Sequence, residues 1–192
     1  MGVHLRGRNG RTAAAVAVLT AAMGLIVAGP ANAVQFCNET PIVFTPPSSP
    51  TFAIQPLQPY PSTITVSGLT GVITDVNVLL NDIRYTFPED LDVLLVHPDG
   101  TSVLVMSDAG GNEDDTPSPA VDVDLILDQQ APNPLPLDAQ LTSGTFRPTD
   151  DDDDPGAFFP TDEFPAPAPA IGGSNLDVFN GKAPTAPGGS SS

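Results

Sequence analysis

One cysteine, two histidines, no tryptophan and six basic residues are what this 192-residue chain has in short supply. Each shortage removes a class of function. A single Cys and two His cannot build a Cys/His zinc cage. The absence of Trp removes the strongest stacking platform for sugars. Arg6, Arg8 and Arg11 precede residue 34, and all 23 acidic residues follow residue 33. A chain starting at Val34 therefore carries 3 − 23 = −20, against −17 for the whole. Such a surface repels nucleic acid and anionic membranes, both of which need a basic footprint. What the chain has in excess is Pro, at 23, and Gly, at 17. Pro breaks helices, so a helix-rich fold is excluded.

Long apolar runs are also scarce, with one exception. The three arginines precede an uncharged stretch, residues 12–28, followed by Gly29-Pro30 and the small residues Ala31-Asn32-Ala33. That order is the one of a secretory signal peptide, with cleavage expected after Ala33. The expected product is secreted, extracellular and free of the membrane. Its only cysteine, Cys37, has no partner in the chain and is expected as an unpaired thiol on a mobile terminus.

Residues 34–61 are rich in Pro, Ser and Thr and read as an extended leader. From Ser62 the pattern turns to strands. Residues 62–66 are short and β-branched. In 72–80, Val72, Val76, Val78 and Leu80 share one parity, which predicts a half-buried strand. Residues 91–96 are apolar on both parities and predict a central strand covered on both faces. His97-Pro98-Asp99-Gly100-Thr101 predicts a turn, with Gly100 at positive φ, into a returning strand at 103–106. Val121, Val123, Leu125 and Leu127 alternate with aspartates, Ile126 being out of phase. Residues 184–192 read as a disordered tail. Several short strands at turn-marked intervals predict an all-β sandwich.

The stretch from Ser62 to Gly111 resembles the P domain, or P/Homo B domain, of proprotein convertases and bacterial subtilisin-like serine proteases. The resemblance rests on Gly71 before the Val-rich strand, then Phe87-Pro88-Glu89-Asp90-Leu91, then Leu95-Val96-His97-Pro98-Asp99-Gly100-Thr101. "LTSGTFRPTD", "FPAPAP" and "SNLDVFNGKAP" follow in the family's order. The resemblance implies a jelly-roll-like antiparallel β-sandwich over residues 62–183, a module without catalytic residues that sits beside a subtilisin-type domain and supports its stability. It also implies a Gly-Thr-Trp strand and a final strand after residue 184 that this sequence lacks, so the sandwich is expected to miss its last strands. Such a module is marginal alone or completes its sheet with another chain.

Within residues 34–192, a Ser–His–Asp triad has only His97 to use, and no Gly-x-Ser-x-Gly elbow is present. His97 is expected as an exposed turn residue, and no catalytic site is assigned. Asp108, Asn112, Asp114 and Asp115 crowd a Gly-containing loop. With Asp90 across the fold they are the candidate ligands for Ca²⁺, which takes six to eight oxygens. The run Asp150 to Asp154 reads as a solvated block. The leading functional expectation is a secreted, non-catalytic module that stabilises or binds a protein partner, such as a protease domain in trans. A serine-type endopeptidase by lineage and a calcium-dependent surface adhesion module are the alternatives.

Overall fold

The computed structural model describes residues 1–7, 14–22, 33–43, 55–111, 118–150 and 164–185. Eleven strands occur among them: β1 (Gly2–Gly7), β2 (Ala14–Ala22), β3 (Ala33–Cys37), β4 (Ile42–Val43), β5 (Gln55–Pro56), β6 (Ser62–Thr63), β7 (Asp75–Tyr85), β8 (Leu91–Val96), β9 (Ser102–Met106), β10 (Ala120–Asp128) and β11 (Gly144–Phe146). Helix is confined, among the described residues, to the 3₁₀ turns Pro88–Asp90 and Leu176–Phe179. No helix of these residues is long and apolar enough to cross a membrane.

The chain is an all-β sandwich. One sheet runs β5-β1-β8-β9, with β6 also paired to β1. The other runs β11-β10-β7-β2-β3, with β4 also paired to β2. Pairing is antiparallel except for β10 with β11. The core joins both sheets: Val3, Leu91, Val93, Leu95, Val103 and Val105 from one, Val76, Val78, Leu80, Ile83, Val123, Leu125 and Leu127 from the other. Alternation drives this arrangement, because a strand with apolar residues on one parity must bury that face.

The parity expected for residues 72–80 holds from Val76 to Leu80, but Val72 is exposed and Ile73 is buried. Beyond Leu80 the inward parity shifts to Ile83 and Tyr85. The shift is a β-bulge. Asp82, at φ 55°, adds a residue between the pairs Leu80–Leu125 and Ile83–Val123. Asp122, also at φ 55°, adds one on β10 and turns Val121 out to solvent. Arg84 ion-pairs with both aspartates, and the Asp82 amide donates to Asp124 Oδ1 at 2.8 Å. Aspartate tolerates left-handed backbone better than most residues, which suits it to bulge positions.

β8 runs where the sequence puts it and is buried on both faces. The outer edge of β9 is blocked. The Leu104 amide donates to Gly173 O, the Ser107 amide to Thr149 O, and the Thr149 amide to Val105 O. This covers an edge that is otherwise a template for aggregation.

The amino-terminal residues contribute strands that the sequence reading did not assign. The run expected as a removable export segment supplies β1 and β2, both in central positions. The expected leader supplies β3, β4 and β5. Cys37 ends β3 as an exposed free thiol rather than lying on a loose terminus. For β2 the physical reason is that an uncharged run of Ala, Val and Leu suits a central strand as well as it suits an export segment. Residues 186–192, most of the expected tail, lie outside the described residues.

Candidate functional site

His97 is only 3 % exposed, which corrects the expectation of a solvated turn residue. The turn itself forms as the sequence implies: Gly100 has φ 90°, the His97 amide donates to Thr101 O at 2.8 Å, and the Gly100 amide donates to His97 O at 2.9 Å. The carboxy-terminal segment closes over the imidazole. The ring lies 6.0 Å from that of Phe179, at 35°. Nε2 is 2.8 Å from Ala183 O; a carbonyl only accepts, so Nε2 carries a proton and donates. Nδ1 faces two partners on Asp99, the amide at 3.2 Å and Oδ1 at 2.9 Å. The neutral ring accepts from the amide; the protonated ring donates to the carboxylate. Both nitrogens are engaged in either state.

Lys182 completes this latch, its Nζ 2.7 Å from Asp99 Oδ2. The Asp99 carboxyl is held well below the usual carboxylate range, first by Lys182, then by the Thr101 amide and hydroxyl, and least by His97. A depressed pKa places the stabilisation above the unfolded value, about 4, and removes it as pH falls further. Asp99→Asn is therefore expected to destabilise the chain near pH 7 by about 1 kcal/mol or less, as for a partly exposed pair. Urea melts of the two proteins are expected to draw together from about pH 4 downward. A gap that stays constant to the acid limit would remove the ionised Asp99 from the latch.

The neighbouring hydroxyls are also committed. Ser102 Oγ donates to Ala170 O at 2.6 Å. Ser107 Oγ lies 2.6 Å from Asp92 Oδ1 and 2.9 Å from Asp108 Oδ2. One hydroxyl proton is thus shared between two carboxylates. Asp92 and Asp90 are buried, and Asp108 sits at φ 48° at the start of the expected calcium loop. Glu89 approaches the same loop: a Cβ added to Gly111 would stand 2.3 Å from Glu89 Oε2. Asn112, Asp114 and Asp115 lie outside the described residues, as do Asp151 to Asp154. Among the described residues no group of three or more His, Cys, Asp or Glu side chains is placed to hold a metal ion.

No family model, no curated protein and no solved structure matches this chain.

A second acidic group escaped the sequence reading because its members are far apart in the chain. Asp75 feels the charges of Asp128 and Asp177, which lie on β10 and the Leu176–Phe179 turn. The Asp75 carboxyl is pushed up by burial first and then by the charge of Asp128, with a smaller push from Asp177. Asp177 accepts from Gln130 Nε2 and Asn180 Nδ2 at 3.3 and 3.2 Å, which spreads its charge over amide donors. Only the pairing of β7 with β10, Asn77 opposite Asp128, brings the first two together.

Proposed function

We propose that the chain is a secreted, non-catalytic β-sandwich module of the P/Homo B type, which stabilises or positions a protein partner such as a subtilisin-like serine protease domain. One observation supports the non-catalytic part of this reading. The only histidine after residue 33 is buried, with Nε2 donating to Ala183 O and Nδ1 turned to Asp99. A general base needs a free lone pair within reach of a nucleophile. His97 offers none to Ser102 or Ser107, whose hydroxyls are turned to Ala170 O and to the Asp92–Asp108 pair. The strong negative charge of residues 34–192 favours a neutral or basic partner surface over an acidic one.

The test is a fluorophosphonate probe, which labels activated serines, applied to the exported and purified chain beside an active subtilisin. No labelling of the chain is expected. Labelling abolished by His97→Ala would make the chain a serine hydrolase and end the proposal.

A further inference from the structure

The two amino-terminal strands occupy positions that are walled on both sides. β1 runs antiparallel to β8, from Gly2 opposite Val96 to Gly7 opposite Leu91, and on its other side meets β5 and β6. β2 runs antiparallel to β7, from Ala14 opposite Arg84 to Ala22 opposite Asp75, and on its other side meets β3 and β4. The far walls do not depend on these strands for their mutual contacts. Val43 and Gln58 exchange reciprocal backbone bonds at 2.8 Å, and Asn38 donates to Ser62 Oγ and Thr63 O. Ile42, Leu57 and Ile64 anchor them in the core, and Tyr60 donates to Pro165 O at 2.7 Å.

Loss of residues 1–33 thus leaves two gaps, each lined by a row of backbone donors and acceptors on both sides. Unmet backbone groups beside an apolar core strongly favour a new strand. The gaps specify its character. β8 is buried on both faces, so the strand beside it meets little water. Register places Arg6 opposite Asp92, and residues 1–33 carry three arginines and no acid, against −20 on the remainder. A gap walled on both sides admits a free segment, not the rim of a second folded copy.

We propose that the processed chain takes up two extended apolar strands from a protein partner in the positions of β1 and β2, the strand beside β8 carrying a basic residue opposite Asp92. This rests on the reading of the chain as exported and cleaved after Ala33. It deepens that reading by naming how the partner binds: by adding strands to both sheets, with backbone bonds giving affinity and alternate side-chain positions giving register.

The experiment starts from the chain secreted by its own leader, with its amino terminus sequenced. A synthetic peptide of residues 1–22 is the probe, added to the product directly and during refolding from urea. A terminus at Val34 is expected, with saturable peptide binding that raises the Tm by roughly 5–10 °C at a hundredfold excess over Kd. The peptide carrying Val18→Pro, which lacks a ladder donor, is expected to bind at least roughly tenfold more weakly. The Arg6→Glu peptide is expected to weaken by roughly tenfold as well. A terminus at Val34 with a cooperative melt indifferent to the peptide overturns the inference and leaves the secreted module standing. So does a stable dimer that ignores the peptide. A secreted product still bearing residues 2–22 overturns both, because the gaps are then filled in cis.

Discussion

Phe179→Ala is expected to cost about 3–5 kcal/mol, the range for emptying a buried aromatic site. For a chain of this size that lowers the Tm by roughly 10 °C or more. Phe179 is completely buried and is the largest such side chain among the described residues. It ends the 3₁₀ turn Leu176–Phe179, which Asn175 caps by accepting from the Asp177 amide at 2.9 Å. Beyond it the chain is bonded back to the sandwich: the Gly181 amide donates to Ile73 O and the Ile73 amide to Lys182 O, both at 2.8 Å. Removing the ring loosens these bonds and the His97–Ala183 contact together. Circular dichroism melts measure the global loss, and hydrogen exchange at Gly181 and Lys182 measures the local one. A shift below about 1 kcal/mol, the scale of a surface change, would mean that this segment does not help to close the core.

Gly110→Ala is expected to cost about 3 kcal/mol, from left-handed strain of about 1–2 and overpacking of about 1–3. Gly110 has φ 91°, and an added Cβ would stand 2.3 Å from Leu141 Cγ. The backbone has little room to yield, because the Gly110 amide donates to Pro136 O at 2.8 Å and the Gly111 amide to Leu137 O at 3.0 Å. Leu141 is buried and belongs to the core. Gly68→Ala provides the control, since Gly68 has φ 73° and nothing within 4 Å of an added Cβ. It is expected to lose only the backbone part, about 1–2 kcal/mol. Equal urea midpoints for the two variants would show that Leu141 moves aside and that the loop after Ser107 is not held by this contact.

The latch around His97 and the bulges around Arg84 show where sequence reading stops. The turn at 97–101 is local, so Pro98, Asp99 and Gly100 made it legible. The burial of His97 is not local: it comes from Phe179 and Ala183, some 80 residues away. The β10 strand was legible from its alternation, yet the outward turn of Val121 depends on Asp122 taking a left-handed backbone against β7. Asp90 and Asp108 were recognisable from the sequence as oxygen donors. The shared hydroxyl of Ser107 between Asp92 and Asp108 was not, because it depends on how β8 and β9 are paired.

By itself the sequence determined that the chain is all-β, where β8, β9 and β10 lie, and that a basic amino terminus precedes an acidic remainder. Period-two alternation and turn chemistry are local properties and can be read in one dimension. Only the tertiary structure decided that Gly2–Gly7 and Ala14–Ala22 fill the centres of the two sheets. An apolar segment does not encode its own neighbour; the open backbone groups of β7 and β8, far along the chain, choose it.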